Sequence, residues 1–221
     1  MRLGIRLLFA FFLINGIAAF FVLRVFTAEI KPSVREVMED MMVDTANLLA
    51  ELASDDLAAG RLAQGDTDSA FARHVRNYVR RPIDAGIWGF AKQSLDYRIY
   101  VTDATGRVLF DSQGQAVGQD FSQWRDVART LRGEYGARMT REVPSDDTSG
   151  VMHVAAPVLV QGRILGVLTV AKPVRTVQRF IDRAERKVLM GGLVLLLLSA
   201  AVGVAVTLWM VWNVRRLRDY A

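Results

Sequence analysis

Four polar side chains in the middle of the chain could hold a small ligand, namely Tyr100, Tyr135, Arg138 and His153. The guanidinium of Arg138 is a planar fork of donors that fits a carboxylate or a phosphate. The imidazole of His153 could donate to an anion or take up a proton near neutral pH. The alternatives are structural. Arg138 would then pair with Asp120 or Glu142, both tyrosines would be core residues with exposed hydroxyls, and His153 would face solvent.

The motifs of common enzymes do not occur in this sequence. It contains no H-E-x-x-H, G-x-S-x-G, P-loop or dinucleotide fingerprint. It also has no cysteine, which excludes disulfides and cysteine-ligated zinc. Asp66-Thr67-Asp68 lacks the glycine and the glutamate of a calcium loop, and Asp146-Asp147 is either a divalent-cation patch or a solvated loop. We therefore expect no catalytic residue, metal or cofactor in these 221 residues.

Two apolar runs flank the region that holds the four polar side chains. The run from Val188 to Trp212 is uncharged over 25 residues, and a run above about 18 such residues predicts a membrane-spanning helix. Trp209 and Trp212 at its end, followed by an arginine cluster, are typical of a membrane interface. Near the N-terminus, residues 7–26 are predicted to be a second span rather than a cleaved signal peptide, whose apolar region would be shorter.

The charge distribution agrees with two spans. The net charge is +5, but the basic excess lies in or beside the apolar ends, and the middle of the chain holds equal numbers of basic and acidic side chains. This pattern argues against a nucleic-acid-binding face. We expect a cytoplasmic N-terminus at residues 1–6, spans at 7–26 and 188–212, an extracytoplasmic domain at 27–187 and a cytoplasmic segment at 213–221.

The central domain is predicted to be α+β. Helices are expected to begin at Pro32, which suits a first turn, and to cover Ser69–Arg81 and Phe121–Arg132. Alternating apolar residues predict strands at Tyr97–Asp103, Arg107–Ser112, Tyr135–Val143, Val151–Val160 and Arg163–Lys172. Because these strands form consecutive hairpins, they predict a five-stranded antiparallel sheet backed by the N-terminal helices.

The helix after Pro32 carries a heptad-like stripe, formed by Val34, Met38, Met41, Thr45, Leu48 and Leu52. Two interpretations are open. The stripe could pack on the sheet, which we favour for its distal half, or it could pair with the same helix of a second copy.

Four segments carry a family resemblance: YVTDATGRVLFDS (Tyr100–Ser112), VGQD (Val117–Asp120), TLRGEYGAR (Thr130–Arg138) and VMHVAAPVLV (Val151–Val160). Together with the two spans, they make the chain similar to bacterial sensor histidine kinases that have a PAS-like (single Cache, or PDC) sensor domain. The resemblance implies a periplasmic sensor domain in a dimeric inner-membrane protein. It also implies a small ligand or envelope signal, and a cytoplasmic kinase that phosphorylates itself and then a response regulator.

The tail Asn213–Ala221 resembles the start of a HAMP-type linker, although it lacks the proline often found there. No phosphoacceptor histidine motif or ATP lid occurs in the sequence. The resemblance therefore implies that ATP and Mg²⁺ bind a kinase domain outside these residues. The alternatives are a membrane-tethered binding module, or the input domain of a chemoreceptor or cyclase.

The sequence also indicates where a signal would pass and which class of ligand is disfavoured. Pro173 ends the last strand, and helical spacing continues from there into the second span. The small residues Gly191, Ser199, Gly203 and Thr207 predict close helix approach in that span, unless they only reflect general small-residue usage. Carboxylate-sensing relatives have a basic residue at the place of His153 and a lysine two positions later. Alanine at position 155 argues against a dicarboxylate ligand here.

Overall fold

The computed structural model describes residues 2–62, 69–87, 89–141, 143–146 and 149–219. Its helices are α1 (Arg2–Ala58), α2 (Ala70–Arg80), α3 (Arg125–Leu131) and α4 (Arg175–Asp219). Its strands are β1 (Ala85–Ile87), β2 (Phe90–Lys92), β3 (Arg98–Asp103), β4 (Val108–Asp111), β5 (Gly136–Arg141), β6 (Gly150–Val160) and β7 (Arg163–Pro173). The chain divides into two compact units, residues 35–178 and a second unit made of residues 1–34 and 179–221.

Unit 35–178 is built on a five-stranded antiparallel sheet with the strand order β4-β3-β7-β6-β5. Hairpins join β3 to β4, β5 to β6 and β6 to β7, while the pairing of β3 with β7 closes the sheet over a long loop. The predicted α+β class with this sheet and N-terminal helices is confirmed. The β1–β2 hairpin was not predicted, because two strands of three residues are too short to show alternation.

The two faces of the sheet bury different residues. One face packs against α1 and α2 and contains Ile99, Val101, Phe110, Leu168 and Val170. The other face contains Tyr100, Val108 and Val167 and packs against Phe121 and Val127. Alternation along β3 therefore separates Ile99 and Val101 from Tyr100, as expected from the period of two in a strand.

The apolar contact of α1 with the sheet differs from the prediction. The buried stripe consists of Met38, Met42, Ala46, Ala50 and Ala53. Leu48 and Leu52 are 63% and 62% exposed, so the expectation that the distal half of the Val34–Leu52 stripe packs on the sheet is wrong. The small side chains of this stripe let α1 approach the sheet closely. The approach also needs a glycine at position 166 of β7, because a Cβ there would lie 2.9 Å from Leu57 Cδ2.

Pro32 does not begin a helix. It lies inside α1, which runs without a break from Arg2 to Ala58. A proline removes one backbone hydrogen bond and strains the preceding turn, and in α1, which has 57 residues, many other turns lie on both sides of it. The helix ends at Ala58, and the Asp66–Asp68 segment lies outside the described residues.

The end of α1 is tied to the start of α2 by Asp56. This buried carboxylate accepts hydrogen bonds from Ser69 Oγ at 2.7 Å, from the Phe71 N–H at 2.8 Å and from Arg61 Nε at 2.6 Å. Ser69 in turn caps α2 by accepting from the Ala72 N–H. The helix predicted at Ser69–Arg81 thus forms, with its two end residues serving as caps. The helix expected over Phe121–Arg132 is shorter and covers only Arg125–Leu131.

Among the described residues, two helices, α1 and α4, are long and apolar enough to cross a membrane, by length and composition. The candidate spans are Phe9–Phe26 and Arg175–Met210. α4 is continuous from Arg175 through the apolar run, as the helical spacing after Pro173 predicted.

Candidate functional site

The candidate site lies on the sheet face that packs against α3, where two cross-strand rows meet. One row is formed by Arg138, His153, Ala171 and Arg98, on β5, β6, β7 and β3. The neighbouring row is formed by Gly136, Ala155, Thr169 and Tyr100. The antiparallel register therefore places side chains that are up to 73 residues apart in sequence, those of Arg98 and Ala171, beside one another.

A carboxylate from α3 lies at the centre of these rows. Asp126 is fully buried and accepts hydrogen bonds from Tyr100 Oη at 2.5 Å and from Arg138 Nε at 2.6 Å. Thr169 Oγ1 lies 3.4 Å from the same carboxylate. The close approach of α3 depends on Gly136, because a Cβ there would collide with the Asp126 carbonyl oxygen and with Thr130 Oγ1.

Tyr100 remains a hydrogen-bond donor in this arrangement. Burial first, and the negative charge of Asp126 second, raise the pKa of the Tyr100 hydroxyl above its ordinary value. The hydroxyl therefore stays protonated and donates to Asp126. Its ring packs edge-on against Phe121, with ring centroids 5.4 Å apart.

Arg138 is held on three sides. Its Nε donates to Asp126, its second terminal nitrogen (Nη2) lies 3.3 Å from His153 Nδ1, and its guanidinium lies over Trp124 at 4.1 Å from the ring centroid. The ring of Trp124 stacks in turn on the ring of Phe121, and the two ring centroids are 3.4 Å apart. The side chain of Arg138 is 16% exposed, so its pairing with Asp126 is shielded from solvent. The predicted structural partners were Asp120 and Glu142; Asp126 takes that role, and Glu142 lies outside the described residues.

His153 is buried and uncharged. Since a guanidinium cannot accept a hydrogen bond, Nδ1 of His153 accepts from Arg138, and Nε2 carries the proton toward Thr140 Oγ1, 3.0 Å away. Burial first, and the nearby positive charge of Arg138 second, lower the pKa of His153 to about 4. The imidazole therefore does not change its charge near neutral pH, as a sensor of pH there would have to.

We expect His153 to make stability depend on pH below neutrality. Its folded-state pKa of about 4 is below the unfolded value of about 6.5, so the unfolded chain binds more protons between these values. The contribution is complete above about pH 6.5 and is lost as the pH falls toward 4. Between pH 7 and pH 5, the wild type should lose about 2 kcal/mol more than His153→Gln in denaturant titrations. His74→Gln, which changes an exposed histidine of α2, is the control; equal pH slopes for wild type and His153→Gln would contradict this expectation.

A second arginine lies on the same face and is paired in the same way. Arg98 donates through Nε and its second terminal nitrogen (Nη2) to both oxygens of Asp111, at 3.0 and 2.9 Å. Asp111 also accepts from the N–H groups of Gln113, Gln115 and Ala116 and so holds the turn after β4. Burial by itself would raise the pKa of Asp111, but these hydrogen bonds, led by those from Arg98, hold it below its ordinary value.

A cavity of about 340 Å³ opens beside both arginines. Its lining includes Asp96, Arg98, Trp124, Arg138, Thr140 and His153. The cavity thus has an aromatic wall and several hydrogen-bonding groups, which are the components of a site for a small polar molecule.

The structure brings three of the four candidate ligand residues together. Tyr100, Arg138 and His153 belong to the cluster around Asp126, whereas Tyr135 is half exposed and donates instead to Glu39 Oε1 of α1 at 2.5 Å. The prediction that these residues bind a ligand stays a prediction. Asp126 itself was missed. Asp126 lies one residue before Val127 and four residues before Thr130, and all three are buried. Such spacing places them on one face of a short helix, and it was the sequence signal by which Asp126 could have been found.

Among the described residues, no group of three or more His, Asp or Glu side chains is arranged to hold a metal ion. Of the Asp146-Asp147 pair, Asp147 lies outside the described residues.

The small residues of the apolar run differ in their surroundings within their own unit. A Cβ at Gly203 would lie 2.7 Å from Phe11 Cε1, and a Cβ at Gly192 would lie 2.8 Å from Leu23 Cδ2. At Gly191 a Cβ would meet no described atom within 4 Å. Thr207 donates to the Gly203 carbonyl on its own helix, and Ser199 lines a groove together with Asn15. The two helices therefore approach closely at Gly203 and Gly192.

No family model matches the chain. Over all 221 residues it is 45% identical to the sensor protein CreC of Escherichia coli (strain K12), and it spans 46% of that protein's length. On the strength of TLRGEYGAR, VGQD and the strand motifs, CreC of the CreBC two-component system was the specific resemblance that the sequence predicted, and this resemblance is confirmed.

Solved structures with some likeness to the chain include sensor domains. The sensor domain of the V. cholerae histidine kinase DctB shares 16% identity and a TM-score of 0.45, covering 72% of this chain and 58% of the other. The E. coli DcuS sensor domain shares 19% identity and a TM-score of 0.43, covering 66% and 98%.

Proposed function

Because the chain is homologous to the sensor protein CreC along its whole length, we propose that it is the sensing and membrane-spanning part of a sensor histidine kinase. That homology is the observation that carries the proposal. The remainder of such a protein would bind ATP and Mg²⁺, phosphorylate itself on histidine, and pass the phosphoryl group to a CreB-like response regulator.

The proposed placement in the membrane follows from the two candidate spans. Residues 7–26 and 188–212 cross the bacterial inner membrane, residues 27–187 form a periplasmic PAS-like domain, and residues 1–6 and 213–221 are cytoplasmic. Residues 213–221 begin a HAMP-like linker. The arginines at both ends of the chain, Arg2 and Arg6 at one end and Arg215, Arg216 and Arg218 at the other, support cytoplasmic termini.

In this proposal the cavity beside Arg98 and Arg138 is the sensing site. It lies on β3, β5, β6 and β7, and β7 ends at Pro173, two residues before α4 begins. A ligand that shifts the packing of α3 on these strands would act on β7 directly, since α3 touches β5, β6 and β7. The strand then passes the change into α4.

We propose further that the protein is a homodimer that pairs through α1. Within unit 35–178, Val37, Met41, Leu48 and Leu52 form an exposed apolar stripe at spacings of 4, 7 and 4 residues, the spacing of a coiled-coil seam. Two copies in one membrane have the same topology, so their α1 helices run parallel and equivalent residues meet. Leu48 and Leu52 also line an apolar groove of about 690 Å³ between α1 and α2. Exposed acids of α1, such as Asp44 and Glu51, are opposite in charge to the exposed Arg73 and Arg80 of α2.

The kinase proposal is tested with the full-length gene product in membrane vesicles, by measuring phosphoryl transfer from labelled ATP. Gly203→Leu should change the rate of autophosphorylation about fivefold or more, because a side chain there meets Phe11 and coupling energies between sites are typically about 1–3 kcal/mol. Gly191→Leu is the matched control, since its Cβ position is open among the described residues.

Two results would count against these proposals. If the full-length product incorporates no phosphate, the kinase assignment fails, and a membrane-tethered binding module or another output becomes the better interpretation. If Gly203→Leu and Gly191→Leu behave alike, close packing at Gly203 has no part in transmission.

A further inference from the structure

The cavity beside α3 contains two guanidinium groups but has no excess positive charge. Arg138 is neutralised by Asp126 and Arg98 by Asp111. The carboxylate of Asp96, which also lines the cavity, is 3.4 Å from Lys92 Nζ, and His153 is uncharged at neutral pH. A small anion that enters this space loses its hydration and finds no unneutralised cation to replace it. Its binding is therefore unfavourable.

Asp126 holds the position that an incoming carboxylate would need. The donors best placed to bind a carboxylate on this face are Tyr100 Oη, Arg138 Nε and Thr169 Oγ1, and all three point at Asp126. Asp126 is supplied by α3 of the same chain, and its backbone carbonyl is held by Thr130 Oγ1 at 2.8 Å. An intramolecular ligand of this kind has a high effective concentration, so a free carboxylate competes with it poorly.

The groups that remain at the cavity favour a different class of ligand. Besides Arg98 and Arg138, the lining includes Gln113 with its amide, Thr140 with its hydroxyl and Trp124 with its indole. Amides and hydroxyls of an uncharged molecule can bond to such donors and acceptors without bringing an unpaired charge into the site.

We propose that Asp126 is a tethered carboxylate that permanently fills the anion position of this site, and that the remaining cavity takes an uncharged, hydrogen-bonding molecule such as an amide rather than a carboxylate. This inference rests on the proposal that the cavity is the sensing site. It assigns Asp126 a role in ligand selectivity, since removing its charge would turn the cavity into an anion site.

The test compares acetate with acetamide, which have the same shape and differ in charge. Binding to the full chain in detergent micelles is followed by saturation-transfer NMR at constant ionic strength. The wild type should contact acetamide and show at least tenfold weaker binding of acetate. Asp126→Asn retains the volume and a carbonyl acceptor at position 126 but leaves Arg138 unneutralised, so its affinity for acetate should rise at least tenfold relative to its affinity for acetamide.

A second variant tests the tethered position itself. Asp126→Ala leaves a space the size of a carboxylate, so 50 mM acetate should raise its unfolding temperature by several degrees, and 50 mM acetamide should not. Asp126→Ala combined with Arg138→Met should lose this rescue. Both experiments measure binding or folding, so they can fail independently of the kinase assay.

Several outcomes would overturn the proposal. Acetate binding the wild type at least as well as acetamide would contradict the ligand class, and so would the absence of any acetamide contact. An Asp126→Asn variant with unchanged acetate affinity, or an Asp126→Ala variant that acetate does not stabilise, would contradict the tethered-carboxylate role.

Discussion

Replacing Arg138 with alanine is expected to lower the free energy of unfolding of unit 35–178 by about 3–5 kcal/mol. The substitution leaves the fully buried carboxylate of Asp126 without its cation, and an uncompensated buried charge is among the most costly defects that a point mutation creates. It also removes the guanidinium from the face of Trp124. Denaturant titration followed by tryptophan fluorescence of the full chain in detergent measures the effect.

The control for this substitution is Arg132→Ala. Arg132 also pairs with a carboxylate, that of Glu134, but its side chain is 59% exposed, and exposed ion pairs contribute only about 0–1 kcal/mol. A loss of less than about 1 kcal/mol for Arg138→Ala, similar to the control, would show that the Asp126–Arg138 pair is not the centre of this face.

Replacing both Leu48 and Leu52 with arginine is expected to weaken self-association of the full chain at least about 100-fold. Each leucine buried at an interface contributes about 1.5–3 kcal/mol, and a symmetric pair of helices buries both residues from each copy. The folded monomer should be little affected, since both side chains are exposed in it. Analytical ultracentrifugation in detergent measures the association. Chemical crosslinking in membranes, by a reagent that does not need cysteine, is a second measurement.

Leu159→Arg is the matched control for the association experiment. Leu159 is an exposed leucine near the end of β6 and lies outside the α1 stripe, so this variant should associate like the wild type. An unchanged dimer for the Leu48 and Leu52 double variant, or a dimer that the control disrupts equally, would remove α1 from the interface.

Local features of the chain were predictable because short-range interactions determine them. The β3–β4 hairpin follows from alternation on both sides of Gly106, whose φ of +88° is a conformation that glycine adopts without strain. The cap of α2 follows from Ser69, whose hydroxyl satisfies the otherwise free N–H of Ala72. The candidate spans follow from length and apolarity alone.

Part of the site was also predictable. Tyr100, Arg138 and His153 were identified by side-chain chemistry, since phenol, guanidinium and imidazole groups are suited to polar binding. Their convergence depends on the register of β3, β5, β6 and β7. The same reasoning selected Tyr135, which bonds to Glu39 instead, because side-chain chemistry by itself does not say which neighbours a residue meets.

The amino-acid sequence by itself determined the two apolar runs, α2 and the strands of the five-stranded sheet, because apolar periodicity, capping and turn chemistry act between neighbouring residues. Only the tertiary structure decided that Asp126 neutralises Arg138, and that Met42 and Ala46 rather than Leu48 and Leu52 face the sheet. These choices depend on the close approach of elements far apart in the chain, such as α3 over Gly136 and α1 over Gly166. Such close packing depends on the shapes of elements that are distant in the chain and on the pairing of buried charges, and a local sequence pattern encodes neither.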